Sequence, residues 1–298
     1  MATLLPASPW DHPAEIEPTI SHGHVEAGTG TPVVLLHSSL GSKSQWTPLV
    51  QRLSSRYRVV ALDLWGYGDH EAPTMPLRDF TLDDEIAFLA RRLDALVGAG
   101  TRIHLVGHSY GGVIALRWAR CQPERVASLV LYEPVVFNVL DSEEDARATV
   151  DRLARDVADL VASGRRYDAA RSFVDFWNGQ GSFAGLPLPA QAALVRRVAK
   201  VPYDFRAATR WPMHDDDLRG VVAPVLLMIG NRGPAAVPKI HERLGAVLRN
   251  RRVAAFDCGH MGPVTDANRV NPWIEAFVDV CCERDAAASQ RDHANATL

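Results

Sequence analysis

Cysteine is scarce in this 298-residue chain, and its four copies make no framework. Cys281 and Cys282 are adjacent, Cys121 and Cys258 stand apart, and no C-x-x-C pair occurs. This spacing excludes a disulfide scaffold and predicts reduced thiols. Cys258 lies two residues before His260, but a lone Cys-x-His lacks the other ligands of a zinc site, so no metal is expected. An excess of charge of one sign is also missing. The 32 Lys and Arg face 35 Asp and Glu, for a net charge of −3. Such a balance gives no basic face for nucleic acid or an anionic membrane. No apolar run approaches the roughly 18 residues of a membrane span. The first residues, Met1 to Pro9, lack the basic and long apolar regions of a secretory leader, so a cytoplasmic location is expected. A small molecule is the expected partner, and the question of a homodimer stays open.

Hydrophobic residues make up 47% of the chain, enough for one large core or a core with a small inserted domain. The apolar run Pro32–His37 predicts a strand buried on both faces. Helical spacing follows near Gln45–Ser54, then a second run at Tyr57–Leu62. Ile86, Leu89, Leu93 and Leu96 share one face of a helix over Leu82–Val97, which Thr81 and the acids at 83–85 suit as a start. Strands are predicted at Ile103–Val106 and Val126–Tyr132, with a helix between them. After a long gap, strand–helix alternation resumes at Pro224–Ile229, Val237–Leu248, Arg252–Phe256 and Pro272–Cys282. The alternation predicts an α/β fold, a mainly parallel doubly wound sheet with helices on both faces.

The gap carries only helical periodicity, at 143–163, Tyr167–Trp177 and Pro189–Val201. Residues 135–213 are therefore expected to form a helical cap, with 1–134 and 214–282 as the core and 283–298 as a flexible polar tail.

The most informative stretch is Leu105-Val-Gly-His-Ser-Tyr-Gly-Gly112. It holds Gly107-x-Ser109-x-Gly111 between a predicted strand and a predicted helix. A serine on so sharp a turn is held exposed, and the glycines remove Cβ atoms that would clash. That arrangement suits a nucleophilic hydroxyl. The elbow, together with Val34–His37, Asp63-Leu-Trp-Gly-Tyr-Gly68 and Gly259-His-Met-Gly-Pro263, resembles a capped, serine-nucleophile member of the α/β-hydrolase superfamily over roughly residues 20–282.

The resemblance implies Ser109 as nucleophile and His260 as its base. It also implies an aspartate after the strand Pro224–Ile229, where this chain instead reads Gly230-Asn-Arg-Gly-Pro234. Some relatives carry the acid after the strand that follows the nucleophile helix, and Glu133 stands there. Glu133 is the first candidate, Asn231 the second as a neutral orienter, and Asp63 the third, with the competing role of fixing its own loop. The oxyanion donors implied are the backbone N–H groups of Tyr110 and Ser39, although relatives have His-Gly where this chain has His37-Ser38-Ser39. Ser38 and Trp177 are candidate substrate contacts. Phe173, Phe176, Phe183 and Trp211, beside Met213, read as the interior of the cap. Asp215 to Asp217 after His214 read as a solvated linker.

The function expected is cofactor-independent hydrolysis of a small ester or lactone through an acyl-enzyme. The same apparatus serves carbon–carbon hydrolysis of vinylogous diketones and perhydrolysis. Dehalogenases and epoxide hydrolases of the superfamily carry aspartate at the elbow, which Ser109 disfavours. A hydrolase-like binding protein with little turnover is the reading from a different class, suggested by the missing aspartate.

Overall fold

A computed structural model describes residues 18–141, 144–211 and 214–296. Met213 and the segment 1–17 lie outside these. Eight strands form one sheet: β1 (Thr19–Ser21), β2 (His24–Ala27), β3 (Pro32–Leu36), β4 (Arg58–Leu62), β5 (Ile103–His108), β6 (Val126–Tyr132), β7 (Val225–Gly230) and β8 (Arg251–Phe256). Their spatial order is β1-β2-β4-β3-β5-β6-β7-β8. From β4 to β8 all neighbours are parallel, and β1 and β2 run antiparallel at one edge.

The central strands β3, β5 and β6 are buried at every residue, as their unbroken apolar runs require. Alternation along them sends side chains to two separate cores. Val34, Leu36, Leu105 and Leu129 join one cluster, while Val33, Leu35, Val106 and Val130 join the other. The helices outside the cap are α1 (Thr47–Leu53), α2 (Leu82–Val97), α3 (Tyr110–Cys121) and, numbered in chain order after the cap's five, α9 (Ala236–Val247), α10 (Gly262–Thr265) and α11 (Ala267–Ala296). Leu89, Leu93, Val113, Ile240 and Leu244 place α2, α3 and α9 on the first face. Leu49, Leu53, Ile274 and Val278 place α1 and α11 on the second.

Among the described residues, every element between β6 and β7 is helical. The cap helices are α4 (Asp145–Ala162), α5 (Arg166–Asn178), α6 (Leu188–Arg197), α7 (Val201–Arg210) and the short α8 (Asp215–Arg219). Ala146, Val150, Leu153 and Val157 form the buried stripe of α4 and pack into the first core, so the cap shares its interior with the sheet.

Three expectations are corrected here. The edge strands β1 and β2 lack an apolar run, and they turn about Gly23 at φ 75°. The single helix expected over Pro189–Val201 is two, joined by a 3-10 turn at Val198–Lys200. Pro202 follows that turn and cannot donate to Val198. Residues 283–296 continue α11 instead of forming a tail, since alanines and charged side chains favour the helix. No helix among the described residues is long and apolar enough to cross a membrane.

Candidate active site

Strand β5 ends at His108 and α3 begins at Tyr110, so the whole turn falls on Ser109, at φ 55° and ψ −116°. A non-glycine residue in that region costs on the order of 1–3 kcal/mol, which the surrounding packing must hold in place. A Cβ on Gly107 would lie 2.5 Å from the Gly111 carbonyl oxygen. One on Gly111 would lie 2.5 Å from the carbonyl oxygens of Leu36 and His37. The glycines are thus required by close backbone approach.

Three side chains meet at the strand ends. The Ser109 Oγ lies 3.0 Å from His260 Nε2, and His260 Nδ1 lies 2.6 Å from Glu133 Oε2. Glu133 follows β6 at φ 43°, and its N–H donates to the Met228 carbonyl at 3.0 Å, which extends the pairing of β6 with β7 by one residue. Its other oxygen, Oε1, accepts the Gly230 N–H at 2.7 Å. With both oxygens accepting, Glu133 assigns the proton of His260 to Nδ1 and leaves Nε2 to accept from Ser109. A Cβ on Gly233 would lie 3.5 Å from Glu133 Oε2. The glutamate therefore reaches across the sheet to the place a side chain from the β7 loop would occupy.

The other two candidates for this role lie elsewhere. Asn231 is exposed, and its amide, turned so that the nitrogen faces acceptors, donates to Phe256 O and Asp257 Oδ1. Asp63 accepts from the Lys43 N–H and Nζ, both at 2.7 Å, and from the Asp69 N–H at 3.1 Å. Burial works against its charge, but these Lys43 bonds hold its carboxyl below the usual range. Asp63 fixes its own loop.

The backbone of His260 is held from behind. His108 Nε2–H donates to the His260 carbonyl at 2.8 Å, and His108 Nδ1 accepts from Gln45 Nε2 at 3.1 Å. Burial, then the neighbouring His260, hold the His108 imidazole well below its ordinary range, so it stays neutral in this chain of bonds. Gln45 Oε1 in turn accepts both the N–H and the Oγ–H of Ser38, at 3.1 and 2.9 Å. Ser38 is thereby turned away from the pocket, which corrects its expected role as a substrate contact. Tyr132 OH donates to the Gly259 carbonyl at 2.9 Å and braces the same loop.

A narrow pocket of about 10 Å³, roughly the room one water needs, opens over Ser109. Ser39 and Tyr110 line it, with Tyr110 opening α3, where the first N–H groups have no acceptor within the helix. Trp177 lines it too and stacks on His260 at 4.3 Å between ring centroids. Of the other cap aromatics, Phe173 lines the pocket, Phe176 packs edge-on against Trp177, Phe183 packs against Tyr167, and Trp211 receives Arg117. His214 and Asp217 cap α8, and among the described residues no cluster could hold a metal ion.

One feature of the pocket escaped the sequence. Lys200, fully buried, donates to Glu85 Oε1 at 2.5 Å and to Asp204 Oδ1 at 2.6 Å. Asp204 lines the pocket, and its Oδ2 accepts from Ser39 Oγ at 2.6 Å and Tyr67 OH at 2.5 Å. Burial pushes the carboxyls of Glu85 and Asp204 up, against the pull of Lys200. In sequence, Lys200 and Asp204 look like an ordinary helical surface pair.

Known proteins resemble this chain over parts of its length or nearly all of it. A haloalkane dehalogenase from Agrobacterium fabrum is 34% identical over 131 residues, which is 44% of this chain. The chain spans only 41% of that relative. A 2-hydroxy-6-oxo-2,4-heptadienoate hydrolase from Pseudomonas putida is 28% identical over 83% of this chain and 90% of its own length. Among solved structures, the enol-lactonase from Burkholderia xenovorans shares the fold at a TM-score of 0.69 and 20% identity, over 86% of this chain and 95% of that one. The family model for the alpha/beta hydrolase family matches residues 33–273, and with that extent the chain belongs to the alpha/beta hydrolase family.

Proposed function

We propose that this protein is a cofactor-independent serine hydrolase that cleaves a small ester or lactone through an acyl-enzyme. The observation that carries this reading is the continuous relay from Glu133 through His260 to Ser109, at 2.6 and 3.0 Å. Ser109 Oγ attacks the substrate carbonyl as its proton passes to His260 Nε2. The imidazolium that forms is stabilised by the Glu133 carboxylate on Nδ1. The backbone N–H groups of Ser39 and Tyr110 receive the developing oxyanion. His260 then returns its proton to the leaving alkoxide. A water gives its proton to the same nitrogen and attacks the acyl carbon, and His260 passes that proton to Ser109 Oγ as the acyl–oxygen bond breaks. A serine at the elbow supports acyl transfer over dehalogenation or epoxide opening.

The hydrolase from Pseudomonas putida supports a second reading, carbon–carbon hydrolysis of a vinylogous diketone, because it matches nearly end to end. Labelling with a fluorophosphonate tests the shared chemistry. The wild type labels at Ser109, and Ser109→Ala loses labelling and at least about 10³-fold of the rate. Full labelling of that variant sinks the assignment. A panel of esters and lactones beside a vinylogous diketone separates the two readings, and turnover of the diketone alone overturns the first.

A further inference from the structure

The pocket is apolar on most sides, walled by Val135, Phe137, Phe173, Val201, Phe205 and Ala208. Its one ionisable acid is Asp204, and no cationic side chain lines it. The nearby ammonium of Lys200 is out of a ligand's reach. It is fully buried, bound to Glu85 and Asp204, and it lies 4.9–5.6 Å from the ring centroids of Phe80, Tyr110 and Tyr67. One ammonium thus faces two carboxylates, and the member of the cluster turned to the pocket is an acid. An anionic group entering here finds no counter-charge, loses its water and meets Asp204 in a site of low polarity.

We propose that Asp204 is a specificity-determining residue that restricts this pocket to substrates with an uncharged acyl chain and rejects those carrying a carboxylate. The inference rests on the serine-hydrolase reading and narrows its substrate class to neutral short-chain esters or lactones. It separates this chain from any activity on a dienoate, the anion in the name of its Pseudomonas putida relative.

The cluster provides its own control. Asp204→Asn removes the acid at the pocket and leaves Lys200 paired with Glu85, one charge against one. The hydroxyls of Ser39 and Tyr67 can turn to accept from the new amide. Glu85→Gln also leaves one charge against one, but keeps the acid at the pocket. A role in packing alone would make the two variants alike, whereas a role in charge selection sets them apart.

The test uses two ethyl esters of the same shape that differ in charge, ethyl succinamate and ethyl hydrogen succinate, at pH 7.5 with ethanol release as the readout. The wild type should favour the neutral ester in kcat/KM by at least about 100-fold. Asp204→Asn should narrow that ratio at least about tenfold, and Glu85→Gln should leave it within about threefold. Equal turnover of the two esters by the wild type overturns the proposal. So does a ratio that Asp204→Asn leaves unchanged, or that Glu85→Gln narrows equally. Calorimetric binding of both esters to Ser109→Ala gives a reading that needs no turnover, and the neutral ester should bind at least about tenfold tighter. Absence of fluorophosphonate labelling in the wild type would count against Ser109 as nucleophile, while the change in the binding ratio between Ser109→Ala and Ser109→Ala/Asp204→Asn would still decide the role of Asp204. Should Asp204→Asn fail to fold, Asp204→Ser takes its place, and the ratio should narrow in the same direction.

Discussion

Two buried carboxylates stand near Ser109, and they are held in opposite ways. Glu133 sits on the rigid sheet, with its backbone bonded to Met228 and one oxygen bonded to Gly230. Its remaining oxygen is committed to His260. Asp204 sits on a cap helix, and its partners are drawn from the cap, from the β3 loop and from the β4 loop. The first arrangement gives one anion a single task in fixed geometry. The second spreads an anion over several elements, so that it joins the cap to the core. The difference teaches that burial of a carboxylate says little by itself, because the groups that hold it decide what its loss would do.

The sharpest test of that contrast is Glu133→Gln. It should lower kcat by about 10²–10⁴-fold, because the amide keeps the size but loses the charge and offers a donor to Nδ1. Urea unfolding of this variant should stay near that of the wild type, and a large drop in stability with activity retained would break the comparison. Lys200→Met should do the reverse. It leaves Glu85 and Asp204 buried without a cation, so unfolding should become easier by about 3–5 kcal/mol in urea titrations. An unshifted urea midpoint would show that the cluster does not tie the cap to the core.

Acid should act on the core beneath the same cluster. His37 packs edge-on against Tyr67, and burial lowers its pKa to about 4. The unfolded chain then binds a proton below about pH 6.5 that the folded protein resists. The stability this imidazole contributes is complete above that pH and is lost as pH falls toward 4. His37 alone should make unfolding at pH 5 easier than at pH 7 by up to about 2 kcal/mol, and His37→Gln, if it folds, should remove that share while buried His104 and His108 keep theirs. The smallest effect expected is that of Asn231→Ala, within about twofold in kcat/KM, since its amide bonds only to Phe256 and Asp257. A tenfold loss would return Asn231 to the site.

What the sequence made legible follows the same division. The strands β3 to β7 announce themselves as apolar runs because helices cover both faces of their sheet. Ser109 and His260 stand beside glycines that are visible in the sequence, although Gly111 is required by a contact with Leu36 and His37 from a distant strand. Glu133 could be read from a strand end and from the glycine at position 233, two signals that each lie within a few residues. Asp204 and Lys200 could not, because Glu85 is 115 residues from Lys200 and Ser39 is 165 from Asp204. Nothing in a helical Lys–Asp pair tells that both are buried. Ser38 differs in that its partner is near in sequence: Gln45, seven residues on, takes both of its donors, and nothing in the residue types shows that it does.

The stacking of Trp177 on His260 has a consequence for timing. The rings lie nearly parallel, 26° apart, and the indole belongs to α5 of the cap. A neutral imidazole offers that indole face only packing, whereas an imidazolium adds cation–π attraction. The grip of the cap on the core therefore strengthens whenever His260 carries a proton and slackens when it gives the proton up. On the proposed mechanism the indole therefore holds the imidazole most firmly while His260 carries the proton taken from Ser109.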